Sequence, residues 1–245
     1  MLQRNSNLAV DTPSIDAAIT SRFSCRAFRP DNPVPKHLLE DILDVARYSP
    51  SGVNTQPWKV YVLQGGRLRR MVSEVCETFD KASGDPAGGS RLRGDYDYYP
   101  SKWVSPYLER RRANGWGLYG LLGIAKGDKP AMQAQHRRNF RFFDAPTGLM
   151  FTMSRALVRG SLIDYGMFLQ NIMVAARARG VDTCPQAAWN DYAGIVLRHL
   201  AASDDEMLVC GMAIGFADES AAVNTFQTPR EPIGTFTRWL EEVGE

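Results

Sequence analysis

Residues 207–216, with the sequence MLVCGMAIGF, form an apolar run in which small side chains are interspersed among large ones. Such a run predicts a strand at the centre of a sheet. The patterns at 58–63 and 147–154 predict two further strands, and 162–179 predicts a long helix that Gly180 ends. Because helices and strands mix without strict alternation, the pattern favours an α+β layered domain over a doubly wound one.

Length and charge limit the class of protein. The 245 residues are 44% hydrophobic, and neither repeats nor a low-complexity linker divide them, which predicts a single domain over residues 1–245. Basic residues number 29 against 27 acidic ones, for a net charge of +2. This balance argues against nucleic-acid binding and against a membrane-surface protein.

Cysteine usage and the N-terminus predict a cytoplasmic protein. Four cysteines lie far apart, at Cys25, Cys76, Cys184 and Cys210, with neither a zinc-site spacing nor a disulfide framework. The opening residues lack the apolar core of a signal peptide, and no later run is long enough to cross a bilayer. We therefore expect no metal site and no membrane segment.

Residues 80–142 predict a helical excursion on the surface. Its first part is rich in Gly, Asp and Tyr, and its second part has a more polar helical pattern. Aromatic rings stack on flat, electron-poor rings and exclude water, so the excursion is a candidate lid that selects a substrate. The candidate substrate-binding residues are Tyr98, Trp103, Trp116 and Tyr119. Ordinary packing between helices explains these aromatic residues equally well.

Residues 22–29, RFSCRAFR, concentrate positive charge in a chain of balanced composition. In an extended segment Arg22, Ser24 and Arg26 would project to the same side, because side chains alternate along a strand. Guanidinium groups fork onto phosphate oxygens, and a serine hydroxyl donates to them as well. The segment therefore predicts an anion-binding site. The alternative is a solvated loop whose arginines pair with carboxylates.

The stretch SPSGVNTQPW at 49–58 predicts a second part of the site. Asn54 and Gln56 present both donors and acceptors, which is what the amide edge of a flat heterocycle requires. Pro50, Ser51 and Gly52 permit close approach of the backbone. The alternative is a turn-rich loop that precedes a core tryptophan.

These two motifs, in this order, resemble the FMN-dependent nitroreductase family. The segments 166–171, GMFLQN, and 180–188, GVDTCPQAA, fit the same resemblance, as do the run at 209–216 and Thr228-Pro-Arg230. The resemblance spans roughly residues 15–235. It implies a three-layer fold in which helices flank a central mixed, mainly antiparallel sheet. It also implies an intertwined homodimer with FMN at the interface, and a tail at 224–245 that embraces the partner.

The resemblance also implies roles for individual residues. It assigns the FMN phosphate and ribityl chain to Arg22, Phe23, Ser24, Arg26 and Arg230. It assigns the ring to Pro50, Ser51, Gly52, Asn54 and Gln56 of the partner subunit, and to Pro185, Gln186, Ala187 and Ala188. A backbone N–H of Ala187 or Ala188 would point at flavin N5. Many members carry an acidic residue and a glycine at these two positions, so only a main-chain donor can act here.

The implied activity is a ping-pong reaction. NAD(P)H would pass a hydride to FMN and leave, and a nitroaromatic compound would then be reduced through the nitroso compound to the hydroxylamine. NADH and NADPH both fit, because stacking on the flavin would hold the nicotinamide. Alternatives within the fold are flavin fragmentation, dehalogenation and heterocycle oxidation. A non-catalytic flavin-binding protein is a further alternative, and an RNA-binding protein is the one that the charge balance disfavours.

Overall fold

The computed structural model describes residues 11–84 and 94–240. Four strands alternate with helices along the chain: β1 (Lys59–Gln64), β2 (Thr147–Ser154), β3 (Asp182–Gln186) and β4 (Glu206–Gly215). The helices are α1 (Thr12–Thr20), α2 (Lys36–Ala46), α3 (Gly65–Gly84), α4 (Tyr107–Leu121), α5 (Lys129–Arg137), α6 (Ser161–Arg177), α7 (Ala193–Leu200) and α8 (Ile233–Phe236). Short 3₁₀ helices span Gly52–Asn54, Arg138–Asp144, Ala187–Tyr192 and Ala222–Thr225.

The strands form one sheet in the order β1-β2-β4-β3, and each neighbouring pair is antiparallel. Almost every residue of β2 and β4 is buried. The apolar run at 207–216 is therefore a central strand, as predicted. A parallel bridge between Ser24 and Thr183 adds the N-terminal segment beside β3. The prediction of a mixed, mainly antiparallel sheet is confirmed.

Helices cover both faces of the sheet. On one face, apolar residues of α3 and α7 pack with Phe140, Phe142 and Trp189. On the other face, α2 and α6 supply the buried residues, and α6 ends before Gly180, whose φ of 70° suits a glycine. Two cores separated by one sheet make the three layers that the sequence predicted.

The pairing of β2 with β4 contains a β-bulge. Phe151 pairs with Cys210 and Thr152 pairs with Leu208, so Val209 has no partner on β2. On the other side of β4, the register with β3 covers 211–215 and stops short of Val209. A bulge releases backbone groups from the ladder and turns the local side chains.

The predicted excursion at 80–142 divides into several parts. Residues 80–84 continue α3, so helix extends further than expected, and 85–93 lie outside the described residues. No side chain of α4 is buried, and Gly117 on α4 approaches the ring of Phe226 so closely that a Cβ would lie 2.9 Å from it. The structure thus places α4 against the start of the C-terminal tail. Whether this region acts as a lid stays a prediction.

The chain ends are described in part. Residues 1–10 and 241–245 lie outside the described residues, so part of the predicted N-terminal and tail features is not seen. Within residues 11–84 and 94–240, no helix has the length and apolar character needed to cross a bilayer.

Candidate active site

The arginine-rich segment lies in extended conformation beside β3. The backbone N–H of Cys25 donates to the carbonyl oxygen of Thr183 at 3.0 Å, next to the bridge between Ser24 and Thr183. The N–H of Arg26 donates to Oδ1 of Asn224 at 2.8 Å. Backbone contacts therefore fix this segment on both sides, and the guanidinium of Arg26 adds a hydrogen bond to the carbonyl oxygen of Ser24 at 3.2 Å.

Arg22 and Arg230 present two cations at this place. Burial is the largest cause that lowers the pKa of Arg22, and the positive charge of Arg230 lowers it further. Nε of Arg22 is buried and, in the part of the chain described, has no hydrogen-bond partner. Arg230 is oriented by its hydrogen bonds to the carbonyl oxygen and hydroxyl of Thr228, at 2.9 and 2.5 Å. The Nε–H of Arg22 is thus a buried donor without an acceptor, and the two guanidinium groups repel each other. A bound anion such as a phosphate would accept from this donor and offset the repulsion.

Two neighbours extend this anion site. Oγ1 of Thr183 is also buried without a partner among the described residues. Burial raises the pKa of Cys184 to about 11, despite the opposing effects of Arg26, the Ser24 hydroxyl and Arg22. The thiol is therefore neutral at physiological pH and is no nucleophile.

The end of β3 leads directly into a 3₁₀ helix that begins at Ala187. The first N–H groups of a helix have no acceptor within it, so the amides of Ala187 and Ala188 are suited to an external acceptor. Gln186 is turned the other way: its Nε2 donates to the carbonyl oxygen of Asn139 at 2.6 Å and its Oε1 accepts from Trp189 at 3.3 Å. The side chain of Gln186 thus belongs to the core, and its backbone is what borders the site.

A cavity of about 410 Å³ lies at the end of β3. Besides β3, its largely apolar walls come from α6, the bulge region of β4, the first residue of the 3₁₀ helix at Ala187 and the segment that precedes α4. The lining residues are Tyr96, Asp97, Tyr98, Leu162, Tyr165, Gly166, Leu169, Pro185, Gln186, Ala187, Val209 and Cys210. A concave site of this size and character suits a flat aromatic ligand.

Of the predicted substrate-binding residues, Tyr98 lines this cavity. In the described residues, Trp103 packs near Tyr99 at 5.6 Å between ring centroids, and Trp116 lies 6.4 Å from Tyr119 on α4. These three residues, Trp103, Trp116 and Tyr119, lie outside the lining of this cavity. Their substrate-binding role stays a prediction.

The loop at 50–56 has an unusual backbone. Val53, Asn54 and Gln56 adopt positive φ values of 46°, 61° and 48°, although none of them is glycine. Ser51 supports the loop by accepting from the N–H of Gln56 at 3.0 Å, and Gly52 donates to Asp164 at 3.3 Å. Strained backbone of this kind is concentrated at functional sites. The side chains of Asn54 and Gln56 are exposed, and so is Pro50.

Phe23 packs against the side chain of Arg177. Its ring lies 6.0 Å from the guanidinium of Arg177, which also forms an ion pair with Asp182 at 2.9 Å. These contacts hold the start of the arginine-rich segment against α6 and β3. Within the described residues, no cluster of three or more His, Cys, Asp or Glu has the arrangement of a metal site.

Sequence reasoning missed four residues that shape this site: Asn224, Asn190, Asp95 and Tyr165. Asn224 clamps the arginine-rich segment, and the hydroxyl of Tyr165 bridges the carbonyl oxygens of Lys59 and Thr152 at 3.1 and 2.8 Å. Asp95 and Asn190 attach the segment before α4 to the sheet. Each of these four residues binds a partner that is distant in sequence. The local sequence pattern therefore gave no indication of its role.

The structure places two cations beside the start of β3 and a largely apolar cavity at the end of that strand, and comparisons with known proteins identify the family that shares this fold. The Nitroreductase family model matches residues 19–216. This chain belongs to that family. It is 42% identical to the chloronitrobenzene nitroreductase of Comamonas testosteroni, over 94% of this chain and 99% of the relative.

Two further similarities cover nearly the whole chain. Identity to the nitrobenzene nitroreductase of Ectopseudomonas oleovorans is 39%, over 94% of this chain and 99% of the relative. The crystal structure of the FMN- and NADPH-dependent nitroreductase NfnB from sphigopyxis sp. strain HMH superposes with a TM-score of 0.86. Its identity is 36%, over 93% of this chain and 99% of that one. The predicted family and fold are therefore confirmed.

Proposed function

We propose that this protein uses FMN and NAD(P)H to reduce nitroaromatic compounds to hydroxylamines. The relatives named above act, by their names, on chloronitrobenzene and nitrobenzene, and NfnB depends on FMN and NADPH. The observation that carries the proposal is the pairing of Ser24 with Thr183. It joins the candidate anion site to β3, the strand that leads into the turn at Ala187.

The spacing along β3 suits FMN. Ala187 lies four residues after Thr183, and an extended chain covers about 13 Å over four residue steps. This is comparable with the distance from the phosphate of FMN to the middle of its ring. Arg22, Ser24, Arg26 and Arg230 would hold the phosphate and ribityl chain, with Phe23 packed beside them. Pro185 and the backbone of Gln186 would lie against the ring.

When bound, FMN supplies the hydride transfer from NAD(P)H to the nitro compound. The chain contributes position and charge. The amides of Ala187 and Ala188 would donate to N5 and orient the reacting face of the ring. The apolar cavity excludes water and accepts a flat ring. The proposed reaction needs no side-chain acid or base in the cavity. Among the lining residues, Asp97 is the one that carries a carboxylate.

We propose a homodimer in which the loop at 50–56 reaches the flavin of the partner. Val53 at the tip is 98% exposed in the single chain. The tail exposes Ile233, Phe236, Trp239 and Leu240 by 65–94%. Isolated apolar side chains of this size are best buried against a second copy. This arrangement would give Pro50, Ser51, Gly52, Asn54 and Gln56 a ligand to bind.

The proposed location is the cytoplasm. All four cysteines are free and buried. Unpaired thiols are typical of reducing compartments.

The visible spectrum of the purified protein tests the proposal. We expect flavin absorption bands, bleaching by NADH or NADPH without oxygen, and recovery when nitrobenzene is added, with the hydroxylamine as product. A colourless protein that takes up no FMN would overturn the cofactor assignment. A flavoprotein that bleaches but is not reoxidised by any nitroaromatic compound would overturn the substrate class alone.

A further inference from the structure

The side chain of Asn190 binds the backbone of the segment that precedes α4. Its Oδ1 accepts from the N–H of Asp95 at 3.1 Å, and its Nδ2 donates to the carbonyl oxygen of Tyr96 at 2.7 Å. Asn190 is 3% exposed, so both bonds are sheltered from water. A Cβ on Gly94 would lie 2.3 Å from the amide of Asn190, so glycine is required for this approach. The asparagine amide pairs with the segment as a strand backbone would.

The β-bulge of β4 provides the second attachment of the same segment. The hydroxyl of Tyr96 donates to the carbonyl oxygen of Val209 at 2.6 Å, and Oδ2 of Asp95 accepts from the N–H of Leu208 at 3.0 Å. Both backbone groups belong to the bulge, where the register with β2 is interrupted. Arg155 neutralises the other oxygen of Asp95 at 2.7 Å. The bulge thus supplies the donor and the acceptor that hold the segment.

The attached residues 96–98 form one part of the cavity wall, and α6 forms another. Asn190 belongs to the 3₁₀ helix that begins at Ala187, whose backbone borders the same cavity. The wall is therefore linked, through one side chain, to the turn that would face flavin N5. Moving Asn190 would change the width of the cavity without touching the anion site around Arg22.

We propose that Asn190 is a positioning residue for the electron acceptor, acting through Tyr96, and that the wall it holds selects single-ring nitroaromatic compounds over larger ones. This inference rests on the proposed function. The mechanism is geometric: the wall determines how wide a ring system fits between residues 96–98 and α6. Neither Asn190 nor Asp95 is required to touch the acceptor.

Two variants test the attachment. Asn190→Ala removes both hydrogen bonds to the segment, and Tyr96→Phe is the milder change, which removes one hydroxyl and keeps the ring. We measure kcat/KM for nitrobenzene and for 1-nitronaphthalene, because in a ping-pong reaction this constant reports only the step with the acceptor. The preference for nitrobenzene should fall roughly three- to tenfold in each variant, as expected for the loss of one or two hydrogen bonds.

Hydrogen exchange at the amide of Asp95 supplies a readout independent of activity. The exchange should accelerate in Asn190→Ala, because the N–H loses its acceptor. Tyr61→Phe is the matched control: it removes a tyrosine hydroxyl bound to Glu206 elsewhere on the sheet and should leave acceptor preference and exchange unchanged. Unchanged preference in Tyr96→Phe and Asn190→Ala, or the same change in Tyr61→Phe, would overturn the inference.

Binding of inert acids separates this inference from the proposed function. The dissociation constants of benzoate and 1-naphthoate for the flavin-loaded protein are obtained from the flavin spectrum. In both variants, 1-naphthoate should bind more tightly relative to benzoate than it does in the natural protein. If the natural protein reduces no nitroaromatic compound, the proposed function fails, and the ratio of the two dissociation constants still decides whether Asn190 sets the width of the cavity.

Discussion

Asn224 binds the backbone of Arg26 from almost 200 residues further along the chain, with Oδ1 accepting at 2.8 Å. Its Nδ2 donates to the carbonyl oxygen of Ala27, also at 2.8 Å. Asp218 adds a third contact, since its N–H donates to the same carbonyl at 3.0 Å. The residues that would hold a phosphate therefore depend on a turn near the C-terminus for their conformation.

Replacing Asn224 should weaken both the fold and the site. Asn224→Ala leaves the N–H of Arg26 without its acceptor, which we expect to lower the free energy of unfolding by about 1–3 kcal/mol. The dissociation constant of FMN should rise as the segment loses its conformation. Urea unfolding and FMN titration measure the two effects. Thr225→Ala, which removes an exposed hydroxyl from the same turn, should change neither. An unchanged FMN affinity in Asn224→Ala would contradict the proposed role.

Arg22→Met should separate stability from binding. Methionine keeps the apolar part of the side chain but removes a half-buried charge with an unpaired Nε, so the FMN-free protein should unfold at equal or higher urea concentration. Affinity for FMN should fall roughly tenfold to a hundredfold, since a charge-assisted bond to phosphate is lost.

Riboflavin provides the control for Arg22→Met because it lacks the phosphate. Fluorescence titration with both ligands should show a much smaller loss for riboflavin than for FMN. Equal losses for the two ligands would mean that Arg22 does not bind phosphate.

Glu206 should make stability depend on pH. Burial by itself raises the pKa of this carboxyl, but hydrogen bonds from Thr152, Lys59 and Tyr61 outweigh burial and lower the pKa below its usual 4.5. A lowered pKa stabilises the fold above the unfolded value, and this stabilisation is lost as pH falls through the folded value. The difference in unfolding free energy between the natural protein and Glu206→Gln should therefore be constant near neutral pH and shrink below about pH 4.5.

Urea unfolding from about pH 7 down to pH 3 checks this expectation. Glu77→Gln, which changes an exposed carboxyl on α3, serves as the control for the loss of one negative charge. Parallel curves for Glu206→Gln and the natural protein would show that Glu206 carries no pH-dependent stability.

The exposed tail should report the proposed dimer. Trp239 is 78% exposed in the single chain, and truncating a large aromatic anchor at an interface typically costs about 2 kcal/mol or more. Trp239→Ala should raise the dimer dissociation constant about thirtyfold or more. Sedimentation velocity measures this constant, and FMN content should fall together with the dimer fraction. Trp239→Phe should recover most of the loss. A monomer that retains FMN fully would contradict the shared site.

Periodicity and composition predicted much of the fold. The central strand, β1, β2 and α6 follow from apolar patterns that burial imposes on the local sequence, and Gly180 marked the end of α6. Strand β3 was not predicted, because Pro185 and Gln186 interrupt its short apolar pattern. It is a strand because it pairs with β4, a contact that the local sequence does not show. Helix α3 continues to Gly84, beyond the point at which its apolar pattern ends in the sequence.

The sequence indicated the part of the candidate site whose residues lie close together along the chain. Arg22, Ser24 and Arg26 share one extended segment, so their residue types and spacing alone indicated an anion site. Asn190 and Asn224 act on backbone groups that are brought to them by the fold, and an asparagine in a loop has no local pattern that shows this. The resemblance assigned Gln186 to the ring, and its side chain binds Asn139 and Trp189 inside the core, so its role at the ring stays a prediction.

The β-bulge at Val209 has a consequence for how such an enzyme diversifies. Asp95 and Tyr96 attach their segment to the sheet at this irregularity rather than inside a regular ladder. Asp97 and Tyr98 line the cavity and make none of these attaching bonds, so evolution can exchange these two side chains while the attachment itself is inherited unchanged.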